Sequence, residues 1–365
     1  MRIGIYHNQR VSKVLLVPVE GEYQLFGDTL MLRTVLPGEK ITVKSNGAKV
    51  QWVQESGGVK SFQKITLVPI SQNSRLKFTP NVSKNRIYQD GVTFFMLKNK
   101  LRIVNIVDMN NYLSGVIESE GGGGKHLHYY KVQALMSRTY AMKNRRRHRK
   151  DGFQLCDGVH CQAYHSELRY TPSIRKAVQE TNGEVIVDQQ TNLVSTYFSA
   201  NCGGQTCDAS YVWNTSVPYL ESFIDTFCIH TRQATWTKKI KKSSWASFLK
   251  NGYGVREKQV GDLLYNFEQE YRKAFFIHPS LGIPLRDLRR KFRLKSTFFS
   301  THLEGEYVVL NGRGFGHGVG LCQEGAMGMA KAGYDYRQIA LFYFHKVRVV
   351  NYYKTMYFRQ EEVGL

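Results

Sequence analysis

The stretch Asn111-Tyr-Leu-Ser-Gly-Val-Ile-Glu-Ser-Glu120 marks the change from a β-rich region to helices, and four consecutive glycines follow it at positions 121–124. Two of its last three residues, Glu118 and Glu120, are acids. A carboxylate beside bare backbone can lie close to a bound molecule, because no side chain stands between them. Each ordered glycine in a helix or strand lowers stability by about 0.5–1 kcal/mol. We therefore expect these glycines to provide close backbone approach or mobility.

Upstream of this stretch, residues 1 to about 107 are predicted to be β-rich. Short apolar runs separated by Pro-Gly, Asn-Gly and Gly-Gly pairs are typical of strands joined by turns. The predicted strands are 14–19, 23–26, 40–43, 50–53, 64–68 and 101–107.

Downstream, the pattern changes to mixed helices and strands. Residues 108–111 offer N-cap chemistry for a helix over 112–117, and apolar residues at helical spacing predict a second helix over 126–145. Further helices are predicted at 172–182, 245–249, 262–267, 285–290 and 323–332, and further strands at 184–187, 195–198 and 307–310. Because strands and helices alternate without a regular βαβ rhythm, the predicted class is α+β.

The charge of the chain is strongly unbalanced. Its 365 residues include 51 Lys and Arg against 29 Asp and Glu, a net charge of +22. Such a field attracts polyanions, which leaves nucleic acid, anionic lipid and acidic cell-wall polymer as partners, or a soluble protein that is merely basic. No apolar run reaches the roughly 18 residues of a membrane-spanning helix. The first residues do not resemble a signal peptide, so we expect either a cytoplasmic chain or an export signal outside this sequence.

The segment Cys156-Asp-Gly-Val-His160-Cys161 brings two thiols and an imidazole within six residues. Structural zinc takes four nitrogen or sulfur ligands, so a fourth must come from elsewhere, and His148 is the nearest upstream candidate. A Cys156–Cys161 disulfide, or two inert buried thiols, explains the same residues equally well.

Two glycine-rich segments follow. Cys202-Gly-Gly-Gln-Thr-Cys207 fits a small disulfide loop, a reactive thiol, or free cysteines beside a tight turn that lines a cleft. Residues 312–320 invite comparison with a phosphate-binding loop, but they lack the Gly-Lys-Ser/Thr ending and the Rossmann spacing. Within them, His317 is either exposed to a ligand or structural.

The two acids of the opening stretch do not form a catalytic pair in a helix. Each helical residue turns by roughly 100°, so Glu118 and Glu120 point about 200° apart. Only an extended backbone would place them on one face. We therefore expect one acid to act and the other to be a solvated neighbour.

Several ordered motifs resemble the stage II sporulation protein D and amidase-enhancer family. They span about residues 101–350 and include Tyr112-Leu-x-Gly-Val-Ile-x-x-Glu120, Lys131-Val-Gln-Ala134, Arg138-Thr-Tyr-Ala141, Leu155-Cys-Asp-x-x-His-Cys-Gln-Ala-Tyr164, Cys202-Gly-Gly-x-Thr206 and Gly312-Arg-Gly-Phe-Gly-His-Gly-Val-Gly-Leu-Cys-Gln-Glu-Gly-Ala326. In this family, Met-Pro often follows the acid that corresponds to Glu120. Here Gly121 and Gly122 stand in that place.

The resemblance implies a peptidoglycan lytic transglycosylase that cleaves the MurNAc–GlcNAc bond and forms 1,6-anhydro-MurNAc, with Glu120 as the general acid and base. The alternative is a non-catalytic wall-binding protein that stimulates a partner N-acetylmuramoyl-L-alanine amidase. The residues expected to bind substrate are Lys131, Arg138, Tyr140, Gln162, Tyr164, Tyr197, Ser199, Gly203, Gly204, His317 and Gln323.

The same resemblance implies a structural zinc ion, with Cys156, His160 and Cys161 as ligands and His148 as our choice for the fourth. It also implies a cell-envelope location and peptidoglycan glycan strands as partner. We expect no nucleic-acid partner, because the basic residues are spread along the chain without a recognised nucleic-acid-binding module. The expected organisation is a β-rich region at 1–100, a catalytic core with a substrate cleft at 101–350, in which 229–300 is more variable, helical and basic, and a tail at 351–365.

Overall fold

The computed structural model describes residues 1–355, and the chain forms two compact units. The first unit contains residues 1–185 together with 350–355, and the second contains residues 186–349. The chain passes between them within β14 (Glu184–Asp188) and again within β20 (Val347–Asn351). Most of the predicted tail, residues 356–365, lies outside the described residues.

The first unit is built on two sheets. Its strands are β1 (Arg2–Ile5), β2 (Lys13–Glu20), β3 (Tyr23–Gly27), β4 (Leu30–Val35), β5 (Ile41–Asn46), β6 (Lys49–Val53), β7 (Val59–Phe62), β8 (Lys64–Pro69), β9 (Arg75–Pro80), β10 (Arg86–Gln89), β11 (Gly91–Leu97), β12 (Lys100–Ile106) and β13 (Leu155–Cys156). One sheet has the order β13-β1-β12-β11-β8-β3-β4 and the other β10-β9-β2-β5-β6-β7. Apolar side chains alternate inward, as in β2, where Val14 and Leu16 are fully buried.

The first unit also contains the helices α1 (Met109–Gly121), α2 (Leu127–Lys143) and α3 (Pro172–Glu180). A short 3-10 turn, Arg149–Asp151, follows α2. The parallel pairing of β1 with β13 sets Gly4 opposite Cys156, so the β-rich region fixes part of the predicted metal segment.

The second unit contains a three-stranded antiparallel sheet, a two-stranded parallel sheet and six helices among the described residues. Its strands are β15 (Phe198–Ser199), β16 (Thr235–Lys241), β17 (Phe298–Glu304), β18 (Tyr307–Arg313) and β19 (Leu321–Cys322). Its helices are α4 (Ala209–Trp213), α5 (Lys242–Tyr253), α6 (Glu257–Val260), α7 (Leu285–Phe292), α8 (Gln323–Lys331) and α9 (Tyr336–Tyr343), with 3-10 turns at Gly261–Leu264 and Pro279–Leu281. Trp245, Phe276 and Leu288 lie in the core between helices and sheet.

The predicted α+β class and its β-rich start are confirmed. Two local predictions are wrong. The helix predicted at 262–267 is a 3-10 turn that ends at Leu264, because Phe267 instead pairs with Thr301 of β17. The strand predicted at 195–198 is reduced to β15, Phe198–Ser199.

The division between the compact units falls after Val185, whereas the sequence suggested a boundary near residue 100. The difference has a structural cause, because β13 lies far beyond residue 100 and is hydrogen-bonded to the first strand. The β-rich region and α1–α3 therefore belong to one folded body.

Candidate active site and metal-ligand cluster

Helix α1 carries Glu120 in its last turn. The helix begins after Asp108, whose carboxylate accepts a hydrogen bond from the Asn110 N–H at 2.7 Å, and it ends where Gly122 adopts a φ of 64°. Left-handed backbone of this kind favours glycine. Gly124 is also left-handed, with a φ of 72°. Backbone conformation therefore accounts for glycine at two of the four positions, 122 and 124.

Glu120 is partly buried, and one of its carboxylate oxygens, Oε1, accepts a hydrogen bond from the Ala163 N–H at 2.7 Å. Loss of solvent raises the pKa of Glu120 above its ordinary value, and the Ala163 bond and the nearby His165 oppose that shift only in part. The last turn of a helix also disfavours negative charge. This carboxyl is therefore disposed to hold a proton.

The two preceding side chains bind the same neighbouring segment. The Glu118 carboxylate accepts hydrogen bonds from the N–H groups of Arg169 and Tyr170, both at 2.9 Å, and Ser119 Oγ accepts one from His165 at 3.2 Å. Glu118 was expected to be a solvated neighbour. The structure instead shows it anchoring the loop, so the end of α1 holds residues 163–170 through three consecutive side chains.

A close contact explains the glycine within α1. A Cβ atom at Gly115 would lie 2.4 Å from the Ser166 carbonyl oxygen and 2.6 Å from the Tyr164 ring. Only glycine lets α1 approach this segment so closely without displacing backbone.

Gln162 and Tyr164 lie in the interior. The Tyr112 hydroxyl donates to Gln162 Oε1 at 3.2 Å, and Tyr164 is fully buried with its hydroxyl donating to Asn105 Oδ1 at 3.1 Å. Tyr164 was expected to bind substrate, and its side chain has no exposed surface in this structure. Both residues instead support the segment that carries Ala163.

Arg138 also has a structural position. It is 3% exposed, and its guanidinium donates to the Val178 and Glu184 carbonyls at 3.1 and 3.2 Å and to Thr181 Oγ1 at 3.4 Å. Burial lowers the pKa of Arg138 to about 10, which still leaves it charged at neutral pH. The contacts that Arg138 makes in this structure are with the C-terminal end of α3 and the start of β14, and its role in substrate binding stays a prediction.

Two other expected substrate residues are partly buried. Lys131 forms a 2.6 Å ion pair with Glu180. The Tyr140 hydroxyl donates to the His160 carbonyl at 3.4 Å and accepts from Arg147 at 2.6 Å, beside the metal segment.

The structure brings all four predicted metal ligands together. The ligand atoms of His148, Cys156, His160 and Cys161 lie within 4.8 Å of one another. His160 Nδ1 is 3.8 Å from Cys156 Sγ and 3.7 Å from Cys161 Sγ. A hydrogen bond from Cys161 lowers the pKa of the Cys156 thiol, so this sulfur is disposed to be a thiolate.

His148 provides the best evidence that this donor set suits a metal ion. Its Nδ1 is 3.0 Å from Asp151 Oδ2, whereas its Nε2 is buried and has no hydrogen-bond partner in the described part of the chain. A carboxylate that orients the far nitrogen of a ligating histidine is a common feature of zinc sites. Two sulfurs and two imidazoles fit structural zinc. Sequence reasoning missed Asp151, although its position three residues after His148 on a short turn was a usable signal.

In the second unit, two expected substrate residues form a cluster with a third that sequence reasoning missed. Tyr197 and Trp213 have ring centroids 4.4 Å apart, and Trp213 lies 5.3 Å from the His317 ring. Trp213 is 42% exposed. Burial and the nearby Arg289 and Arg272 lower the pKa of His317 to about 4, so its ring is neutral.

The other residues of the second unit that were expected to bind substrate are Ser199, Gly203, Gly204 and Gln323. Ser199 is buried, and its hydroxyl has no hydrogen-bond partner among residues 1–355. Gly203 and Gly204 have φ values of 75° and 96°, and a Cβ at Gly203 would meet the Arg313 backbone at 2.7 Å. They form the tight turn that the sequence predicted. Gln323 opens α8 and is partly exposed.

The fold and these sites define a basic α+β protein with a half-buried acid beside a glycine turn and a Cys₂His₂ cluster in one unit. The family model described as Stage II sporulation protein (SpoIID) matches residues 97–187, the segment that carries both features. The chain is therefore related to the stage II sporulation protein D and amidase-enhancer family, and the resemblance seen in the sequence is confirmed.

Individual relatives agree with this assignment. The chain is 29% identical over 270 residues to an uncharacterized protein of Brachyspira hyodysenteriae, covering 73% of both chains. It is 27% identical to the amidase enhancer of Bacillus subtilis over 66% of this chain and 40% of that protein. It is 26% identical to stage II sporulation protein D of Bacillus subtilis, over 67% of this chain and 75% of that protein.

None of the helices within the described part, residues 1–355, combines the length and the apolar character that a membrane crossing requires.

Proposed function

We propose that the protein is a peptidoglycan lytic transglycosylase that cleaves the MurNAc–GlcNAc bond, with Glu120 as its acid and base. The observation that carries this proposal is the position of Glu120, a partly buried carboxyl of raised pKa that ends a helix beside four glycines. A general acid must start protonated, and burial is how proteins achieve this for a carboxyl group.

One carboxyl is sufficient for the proposed reaction. Glu120 donates its proton to the glycosidic oxygen as the bond from that oxygen to C1 of the muramic acid breaks. The C6 hydroxyl of the same sugar bonds to C1, and the Glu120 carboxylate takes the hydroxyl proton. The products are a 1,6-anhydro sugar and a free GlcNAc end, and Glu120 returns to its protonated form. Glu118 is not needed, which agrees with its hydrogen bonds to the loop.

The zinc ion implied by the family fits the His148, Cys156, His160 and Cys161 donor set, and we propose that these residues hold it. Its contribution would be structural, because four protein ligands leave no open position. Ala163, which donates to Glu120, lies two residues after Cys161. The cluster would therefore fix the backbone that orients the catalytic carboxyl.

The net charge of +22 supports an anionic wall polymer as the substrate, and we propose a location in the cell envelope. Because exposed charges are screened within about 10 Å at 0.1 M salt, this attraction would weaken as salt rises. The exposed face of Trp213, beside Tyr197 and His317, offers an aromatic surface for a sugar ring.

Product analysis tests the proposed reaction. Purified protein would be incubated with glycan strands that carry or lack stem peptides, and the products would be separated and identified by mass spectrometry. We expect anhydro-muramic products from at least one substrate. Glycan binding without any anhydro product would contradict the enzyme assignment.

The similarity to the amidase enhancer of Bacillus subtilis favours a second candidate, a wall-binding protein that stimulates an amidase. This hypothesis predicts glycan binding, no anhydro product and faster release of stem peptides when a cell-wall N-acetylmuramoyl-L-alanine amidase is added.

A separate experiment tests the expectation that the protein does not bind nucleic acid. It is a gel-shift assay with DNA at about 0.15 M salt.

A further inference from the structure

A second cluster of potential metal ligands lies in the other unit and contains no residue to which the proposed reaction assigns a role. It consists of Cys202, Asp225, Cys228 and Cys322, whose ligand atoms all lie within 4.8 Å of one another. All four residues are completely buried. Three segments distant in sequence supply them, so the cluster is a product of the fold.

The fold brings the segments together through β15 and β19. These strands pair in parallel, with Ser199 opposite Cys322, which places the turn that follows β15 beside the start of α8. The third segment supplies Asp225 and Cys228. Gly325 permits the close packing, since a Cβ there would lie 2.6 Å from Asp225 Oδ2.

The distances within the cluster suit a tetrahedral ion. Cys202 Sγ lies 3.4 Å from Cys228 Sγ and 3.2 Å from Asp225 Oδ2. With zinc–sulfur bonds of about 2.3 Å, two sulfurs of a regular tetrahedron lie about 3.8 Å apart. Small adjustments of side chains would bring these atoms to one centre.

Two backbone N–H groups donate to the sulfur of Cys322. Cys322 Sγ accepts hydrogen bonds from the N–H groups of Cys202 and Gly325, both at 3.3 Å, and it caps the N-terminus of α8. Backbone donors and a helix N-terminus stabilise thiolates, which are the form of cysteine that binds metal.

The carboxyl group of Asp225 is buried among uncharged hydrogen-bond donors. It has no ion-pair partner in the described part of the chain, and its carboxylate contacts only hydroxyl, thiol and backbone donors, which include the Tyr343 hydroxyl at 2.8 Å. A buried carboxylate is strongly unfavourable unless it is paired or coordinates a metal ion. Three cysteines around it supply soft ligands, for which zinc has high affinity.

We propose that Cys202, Asp225, Cys228 and Cys322 form a second, structural zinc site. Four buried protein ligands leave no position for water or substrate, so the ion would join the β15 turn, residues 225–228 and the start of α8. The site is independent of the lytic transglycosylase assignment, because it would hold metal whether or not the protein cleaves glycan.

Metal stoichiometry tests this proposal. The full chain would be purified with a non-chelating reductant and without chelator, and its zinc content measured by mass spectrometry. Because each closed cluster binds one ion, we expect about two equivalents in the wild type and about one in a Cys156→Ser/Cys161→Ser variant. Cobalt substitution of that variant should give the charge-transfer absorption of a cobalt–thiolate site.

Two further variants locate the remaining ion. Cys202→Ser/Cys228→Ser should lose about one equivalent, whereas Cys207→Ser, a buried cysteine outside the cluster, should keep both. If the double variant does not fold, the content of the Cys156→Ser/Cys161→Ser protein decides alone. Less than about a tenth of an equivalent in that protein, or a Cys202–Cys228 disulfide found by peptide mapping, would overturn the proposal.

Discussion

The carboxylate of Glu120 accepts a 2.7 Å hydrogen bond from the Ala163 N–H, two residues beyond the metal-cluster residue Cys161. This contact connects a helix end, a candidate catalytic acid and a candidate zinc site within one unit.

The first prediction concerns the effect of pH on stability. The folded-state pKa of Glu120 is raised above 4.5, so the folded protein binds its proton more tightly than the unfolded chain. Its contribution to stability is therefore full below pH 4.5 and is lost as the pH rises through the folded pKa. Glu120→Gln, which cannot ionise, should match the wild type at low pH and have the higher melting temperature at neutral pH.

Thermal unfolding of both proteins from acid to neutral pH checks this expectation, and the difference between them isolates Glu120 from all other groups. A variant less stable than the wild type at neutral pH would show that the carboxylate is stabilising, contrary to our account.

The second prediction concerns Arg138. Because its guanidinium donates to two carbonyls and a hydroxyl at the end of α3 and the start of β14, Arg138→Ala should lower the free energy of unfolding by about 2–4 kcal/mol. Arg138→Lys should recover little of the lost free energy, since a lysine ammonium group does not reproduce the planar, forked arrangement of N–H donors in the guanidinium group. Urea denaturation measures the loss. Unchanged stability with a raised KM for glycan would instead support the original expectation of substrate binding.

The third prediction concerns the orientation of His148. Asp151→Asn should weaken zinc affinity about 10- to 100-fold, because the carboxylate fixes the histidine ring through Nδ1. Competition with a chromogenic chelator in a Cys202→Ser/Cys228→Ser background would measure the affinity of the first cluster alone. The exposed Asp262→Asn is the matched control. Equal affinities of the two variants would argue against a role for Asp151.

The fourth prediction concerns the contact between α1 and the following loop. Gly115→Ala should destabilise the protein by about 1–3 kcal/mol, since its methyl group would meet the Ser166 carbonyl. Any glycan cleavage should fall with it, because the segment that orients Glu120 is displaced. Gly252→Ala is the control, as a Cβ there has no neighbour closer than 3.9 Å. Comparable melting temperatures for the two variants would show that the loop adjusts freely.

The sequence predicted those features that depend on local patterns. N-cap chemistry located α1, helical periodicity located α2, turn pairs located the strands, and residue chemistry with spacing identified the Cys156–His160–Cys161 segment. His148 was chosen as the nearest histidine, and the structure places it in the cluster.

Features that depend on tertiary contacts were not predictable in this way. The burial of Arg138 and Tyr164 results from packing against α3 and the β-sheets, and nothing in their local sequence distinguishes them from residues that bind a ligand. The 3-10 turn at Gly261–Leu264 replaces a helix because Phe267 pairs with a strand more than 30 residues away. The Cys202–Asp225–Cys228–Cys322 cluster likewise exists only after β15 and β19 have paired.

The central claim is that Glu120 transfers the proton in glycan cleavage, and the most direct test measures anhydro-muramic products for the wild type, Glu120→Gln and Glu118→Gln under identical conditions. Our account predicts that Glu120→Gln binds glycan but releases no anhydro product, whereas Glu118→Gln, which retains an oxygen acceptor for the loop, keeps most of the activity. Near wild-type product formation by Glu120→Gln would contradict it.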